Sequence, residues 1–338
     1  MSENDRNDAI LKVPPVLFEQ TQHLFQEIQA KIDGTLVAYW TSSSGEVCQN
    51  DVQALYELLQ ALGPQEKLYL FIKSGGGDGT AAVRIVHLLH RYANRIVAVL
   101  PLQCASAATM IALGAHEIQM GPLSYLTAID TSLTHALSPV NAFNARVSVS
   151  LDELDRVVRM WTDSPTSASQ ENPFGALYPH VHPLVIGAVD RSRSLAVRLC
   201  TEILRFHTDN EGQAEKIAEQ LNSSYPSHSY PILPREARRL GLAVQDLPPP
   251  LNDLLLGLHK LYSEMGQVAL TDYDERNYHN NEIVNILEAP GFQIFYQVDK
   301  DWHYRTEERR WVPMNDNSSW RRVVERNGEP VQSVFHMR

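Results

Sequence analysis

The sequence predicts an α/β fold with a parallel sheet and crossover helices. Three observations carry this. Strand-like apolar runs alternate with amphipathic helical patterns over residues 35–121, giving a βαβαβα order. The run KLYLFIKS (67–74) is almost continuously apolar, as a strand covered on both faces would be. A glycine-rich turn, GGGDG (75–79), joins that run directly to a helical pattern.

The elements follow in order. Residues 15–32 space their apolar positions as a helix does. TLVAYW (35–40) reads as a strand, and Asn50 or Asp51 is placed to cap a helix over VQALYELLQAL. After the glycine turn, Ala81, Val83, Ile85, Leu88 and Leu89 mark a helix face. RIVAVLPL (95–102) is a third strand, SAATMIALGA (106–115) a short helix and HEIQMG (116–121) a fourth strand. A helix is expected from near Ser150, after which SPTSASQENPFG (164–175) is polar and flexible. Further helices are expected over 182–207, 212–223 and 235–244, the last closed by Gly241. LPPPLND (247–253) reads as a linker, because proline cannot continue a helix. A helix follows from Leu251, and FQIFYQVDKDWHYRT then reads as two strands around a VDKD turn.

Composition bounds the function. The chain has 338 residues, 43% of them hydrophobic and 20% charged, enough for a sizeable core. Its net charge of −11 argues against non-specific nucleic-acid binding, which needs Lys and Arg on phosphates. Three cysteines, Cys48, Cys104 and Cys200, with no CxxC, argue for a reducing compartment and against a thiolate zinc site. The polar start, MSENDRNDAI, is not a signal peptide, and no apolar run is long enough to span a bilayer. The expectation is a cytoplasmic protein without a membrane span.

The glycine turn is not a P-loop, since Lys73 precedes the glycines and no GK[ST] follows. As a dinucleotide fingerprint it has Ala82 in the third glycine's place and no acidic ribose partner about twenty residues on. A glycine run between strand and helix can instead aim backbone N–H groups into a cavity, where they stabilise an oxyanion. A nucleophile is then needed nearby. Ser106, at the next strand-to-helix turn, is placed for that role, with the N–H of Ala107 beside it. The plainer alternative makes Ser106 a helix N-cap. His87 and His90 are three apart on a helix with no third metal ligand, so no metal and no cofactor are expected.

The stretches FIKSGGGDGTAAVRIV, CASAATMIALGAHEIQMGPLSYLTAID, VHPLVIGAVDRSRSLA and YPSHSYPILPREARRLGLAV together resemble the Clp-protease/crotonase superfamily, and most closely the serine dehydrogenase proteinase, or Clp-class serine protease, family. The resemblance covers about residues 34–246. It implies a repeated β-β-α core, a helical segment before it (1–33) and a small α+β extension after it (247–338). It also implies a peptidase with Ser106 as nucleophile and the amides of Gly75, Gly76 and Ala107 as oxyanion hole. Asp130 falls near the family's catalytic histidine and His228 near its aspartate, so the triad is not retained as such. No lysine occurs between Lys73 and Lys216, and Ala108 stands where relatives carry glycine.

A free serine needs a base. His228 is the first candidate, oriented by Asp130. Lys216 is the second, and His180 and His182 are the third. The expected partners are a peptide or protein substrate and further copies of the chain. Trp302, Trp311 and Trp320, in a stretch that also carries arginines, read as protein contact rather than base stacking, because Asp301, Glu307 and Glu308 dilute the basic charge. Two other readings stand beside the peptidase: a catalytically inactive scaffold of the same fold, and acyl-CoA chemistry on the same glycine loop without a serine nucleophile.

Overall fold

The computed structural model describes residues 10–129, 132–142, 145–163, 172–208 and 210–337. Residues up to 126 form α1 (Phe18–Gln29), β1 (Thr35–Thr41), α2 (Gln49–Leu62), β2 (Gln65–Lys73), α3 (Gly79–Tyr92), β3 (Ala93–Leu100), β4 (Gln103–Cys104), α4 (Ala107–Leu113), β5 (Glu117–Met120) and β6 (Tyr125–Leu126). Residues 127–232 add β7 (Ser132–Leu133), β8 (Val149–Ser150), α5 (Leu151–Thr162), α6 (Pro173–Leu177), α7 (Pro183–Leu204) and α8 (Glu211–Ser223). The remainder is α9 (Pro234–Arg239), β9 (Val244–Asp246), α10 (Pro249–Met265), β10 (Ala269–Asp274), β11 (Asn277–Ala289), β12 (Phe292–Arg305), β13 (Arg310–Asp316), β14 (Ser319–Arg326) and β15 (Glu329–Phe335).

The chain divides into two compact units, one of residues 1–126 with 233–338, the other of residues 127–232. The first unit holds a mixed sheet in the order β15-β14-β12-β11-β1-β2-β3-β5-β9. Its β1, β2, β3, β5 and β9 run parallel, as the alternation of strands and helices predicts. The strands of the C-terminal segment then continue the same sheet antiparallel, β11 pairing with β1. The expected boundary at residue 247 therefore does not separate compact units: the extension is the other half of the core sheet.

Strand alternation places a layer on each face. Trp40 joins Phe25, Phe71, Leu255, Tyr262 and Phe295 in a buried cluster with α1 and α10. Its neighbour Tyr39 points the other way and donates to Asp51 Oδ2 of α2 at 2.6 Å. Asp51 is not the N-cap of α2. It sits at the third helical position and accepts from the N–H of the true cap, Cys48, at 2.8 Å. Burial pushes its carboxyl up to about 6, against the pull of Tyr39, Cys48 and Asn285.

Two other expectations change. The prolines of LPPPLND do not make a linker, because Pro249 opens α10 at a position where its missing N–H costs nothing. VDKD is not a turn. β12 runs unbroken because β11 pairs along its length, and Lys300 in that stretch bonds Asp316 of β13. Trp302 stacks on Tyr278, Trp311 meets the same ring edge-on, and Trp320 lies tilted against Tyr296, so these aromatics pack within the sheet. In the second unit, α7 and α8 lie side by side, and Val185 and Val189 of α7 pack with Val149 and Leu154. Among the described residues no helix is long and apolar enough to cross a membrane.

Glu288 of β11 is fully buried and accepts from Thr21, Gln22, Tyr262 and Gln293 at 2.5–2.8 Å. Burial still pushes its carboxyl up to about 7. A folded-state value above the unfolded one means the native state holds the proton more tightly. The stability it contributes is therefore complete below about pH 4.5 and lost as the pH rises through about 7. Urea midpoints should fall from about pH 5 to about pH 8, and Glu288→Gln should flatten the upper part of that fall. A wild-type midpoint independent of pH across this window would contradict the assignment.

Candidate active site

The site is built at the C-terminal ends of β2 and β3. Beyond Lys73, Ser74 bridges Cys104 in parallel, donating its N–H to Gln103 O and accepting from Ala105 N–H. The chain then turns through Gly76 and Gly77, whose φ values of 104° and 144° lie where residues with a Cβ are strained. Both approach other backbone closely. A Cβ on Gly77 would stand 2.4 Å from Val47 O, and one on Gly76 would stand 2.6 Å from Ser106 Cβ and 2.8 Å from Ala105 O. Asp78 closes the loop by capping α3 through Thr80 N–H at 2.7 Å. Its carboxylate occupies the end of the helix where a phosphate would bind, which argues against a nucleotide site.

Ser106 lies at the entry to α4 with φ 51° and ψ −119°. Left-handed backbone in a residue with a side chain is costly, and such strain concentrates at functional turns. Ser106 stands at the N-cap position of α4, but its hydroxyl makes no capping bond there. Thr109 instead ties the turn down, donating to Cys104 O at 2.8 Å. Ala105, Ala107 and Ala108 are buried while Ser106 is only half-buried. The turn is thus packed by its alanines and leaves Ser106 partly exposed. With only seven residues, α4 supplies a donor at Ala107 rather than a strong dipole.

The loop amides divide by their partners. Gly76 N–H donates to Ser74 Oγ at 3.2 Å and is not available to a substrate. Val47 bridges Gly77 in parallel, taking Gly76 O and Asp78 N–H and leaving the Gly77 N–H and C=O facing away from it. The amides of Gly75, Gly77 and Ala107 donate to no acceptor among the described residues. Sequence reasoning chose the first two glycines of the run, and it gave no sign that Gly76 N–H is engaged while Gly77 N–H is not. The signal it passed over was Val47, an apolar residue inside the polar stretch GEVCQND and 1% exposed in the structure.

The two first base candidates belong to the second unit. Ser106, Gly75, Gly76 and Ala107 belong to the first unit, and His228 and Lys216 to the second. His228 is exposed on a turn after α8, and Lys216 is exposed on α8. Asp130 lies outside the described residues. His180 is exposed, and His182 caps α7 through Leu184 N–H, a structural role. His90 contacts Gly114 O through Nε2, and no metal-binding group of side chains occurs among the described residues. Lys73 turns to the opposite sheet face from Ser74, donating to Thr41 O and lying over the Trp40 ring. Burial holds its ammonium below the usual lysine range, and burial with the Lys73 charge takes the nearby His259 down to about 4.

Residues 20–124 match the family model described as Clp protease. That segment includes the glycine loop, Ser106 and Ala107. No curated protein matches the chain. Among solved structures, a mutant of the 1510-N membrane-bound stomatin-specific protease aligns at 14% identity with a TM-score of 0.39, covering 70% of this chain and 87% of that one. ClpP1 from Listeria monocytogenes aligns at 16% identity with a TM-score of 0.36, covering 70% of this chain and 99% of that one.

The contact between Gly76 and Ser106 gives a direct test. Gly76→Ala should force the loop and the serine turn apart, lowering thermal stability and slowing any covalent labelling of Ser106 by about tenfold or more. Gly63→Ala, at another positive φ but with nothing within 4 Å, is the strain control and should leave labelling unchanged. Equal effects of the two would mean that backbone strain, not the close approach, sets reactivity.

Proposed function

We propose that the chain is a serine peptidase. The observation that carries the reading is the left-handed, half-buried Ser106 against Gly76, together with the Gly75, Gly77 and Ala107 amides, which donate to no acceptor among the described residues. The Clp protease match over residues 20–124 supports a peptidase in general. On this reading Ser106 Oγ bonds to the substrate carbonyl carbon and its proton passes to a base. The carbonyl oxygen, now negative, accepts from Gly77 and Ala107 N–H. Collapse expels the amine, which takes the proton from the base, and water then releases the acyl group from Ser106 by the reverse relay.

His228 is proposed as the base, with Asp130 orienting it by role rather than by order in the chain. A lysine base requires burial, and Lys216 is exposed. The competing scaffold reading draws on one observation: both base candidates are exposed residues of the second unit. A fluorophosphonate probe separates the two. Labelling of Ser106 that vanishes in Ser106→Ala is expected, and an unlabelled wild type would favour the scaffold. His228→Gln should lower the labelling rate by about two to four orders of magnitude, and Lys216→Met should leave it unchanged. Loss in Lys216→Met with retention in His228→Gln would reverse the assignment.

The proposal includes a symmetric homo-oligomer. Light scattering should give a mass well above the 38.1 kDa of one chain. A monomer at micromolar concentration would contradict it.

A further inference from the structure

Ser74 touches both halves of the candidate site. It is fully buried, at 0% exposure, between the strand that ends in the glycine loop and the segment that enters the Ser106 turn. Its main chain holds the second of these: Ser74 N–H donates to Gln103 O at 3.2 Å, and Ser74 O accepts from Ala105 N–H at 3.0 Å. Its hydroxyl holds the first, accepting Gly76 N–H at 3.2 Å. The same oxygen accepts from Thr41 Oγ1 at 3.0 Å, and Thr41 is also 0% exposed, at the end of β1. A hydroxyl oxygen has two acceptor lone pairs, and these two donors use both.

We propose that Ser74 is a positioning residue, set by Thr41, that fixes the Gly75–Gly76 peptide, and through it the Gly77 N–H that follows, against the Ser106 turn. The proposal rests on Ser106 being the nucleophile. Three features support the role. Gly76 sits at φ 104°, one of the many conformations a glycine can adopt, and the Ser74 hydroxyl supplies a local acceptor that selects it. The pinned amide precedes Gly77, whose N–H is left for the oxyanion. Because one residue binds the loop by its side chain and the serine turn by its backbone, the spacing between oxyanion donor and nucleophile is set within a single residue. Placement of that kind governs the transition state, where a shift of about 1 Å can cost 10²-fold. It has little bearing on how tightly a ground-state ligand binds.

Glycine would leave this site without an acceptor, and alanine would leave two buried donors unpaired, Gly76 N–H and the Thr41 hydroxyl. A residue that only stabilised the fold would lower the folded fraction and leave each folded molecule as reactive as before. A positioning residue lowers reactivity per folded molecule.

The experiment is fluorophosphonate labelling kinetics on the full chain, resolved into the limiting rate and the half-saturating probe concentration. The reaction forms the Ser106 Oγ–P bond, expels fluoride and passes the hydroxyl proton to the base. Ser74→Ala should lower the limiting rate by about 10- to 100-fold with the half-saturating concentration changed less than about threefold. Thr41→Val, which keeps the shape and removes the upstream donor, should lower the limiting rate by a smaller factor and covers the case in which Ser74→Ala does not fold. Ser42→Ala is the control. Ser42 is also buried, but it bonds Glu282 and Ser44 N–H rather than the loop, so its loss should lower the melting temperature and leave the limiting rate unchanged. Wild-type protein that does not label at all overturns the serine reading and this proposal with it. Labelling of the wild type with an unchanged limiting rate in both Ser74→Ala and Thr41→Val overturns the positioning role alone. So does a loss that tracks only the folded fraction.

Discussion

The close approach of Gly76 to the Ser106 turn constrains everything around it. A Cβ at Gly76 has no room, with Ser106 Cβ at 2.6 Å and Ala105 O at 2.8 Å. The loop must therefore carry glycine at that point, and the serine turn must stay where Thr109, Ala107 and Ala108 hold it from below. β2 and β3 bring the two segments to one sheet end because a parallel sheet directs successive strand ends to the same edge. The Val47 bridge closes the loop's far side. Ser106 itself is half-buried, and the Gly75, Gly77 and Ala107 amides donate to no acceptor among the described residues.

The sheet that supports this edge is larger than a parallel α/β core alone. The C-terminal strands add an antiparallel half through β11, which pairs with β1. The buried carboxylates Asp51 and Glu288 lie where helices meet that half: Asp51 ties α2 to Tyr39 and Asn285, and Glu288 ties α1 and α10 to β11. Each is held by neutral donors, with burial raising its proton affinity. The extension is thus wired into the same fold that carries the site.

Much of this was legible in the sequence. The apolar run 67–74 and the glycine turn placed β2, the loop and α3, and the small residues around Ser106 placed its turn. The N-cap of α2 was misread because Asp51 has the right chemistry for a cap but serves at the third helical position. VDKD was misread because a turn-like composition gives way when strands pair on both sides of it, as β11 and β13 do with β12. Which amides of the loop are engaged was hidden because all three glycines look alike until Val47 and Ser74 are seen to bond Gly76. The base is the least legible part. Proton transfer is set by distances between residues far apart in the chain, and neither spacing nor composition encodes them.

The central claim is that Ser106, Gly77 and Ala107 together form the reacting centre. The most direct measurement is a crystal structure of the protein with a peptide boronate. The account predicts a covalent bond from boron to Ser106 Oγ, with one boronate oxygen within about 3 Å of both the Gly77 and Ala107 nitrogens. A boronate bound at another residue, or bonded to Ser106 with its oxygens turned away from both amides, would contradict it.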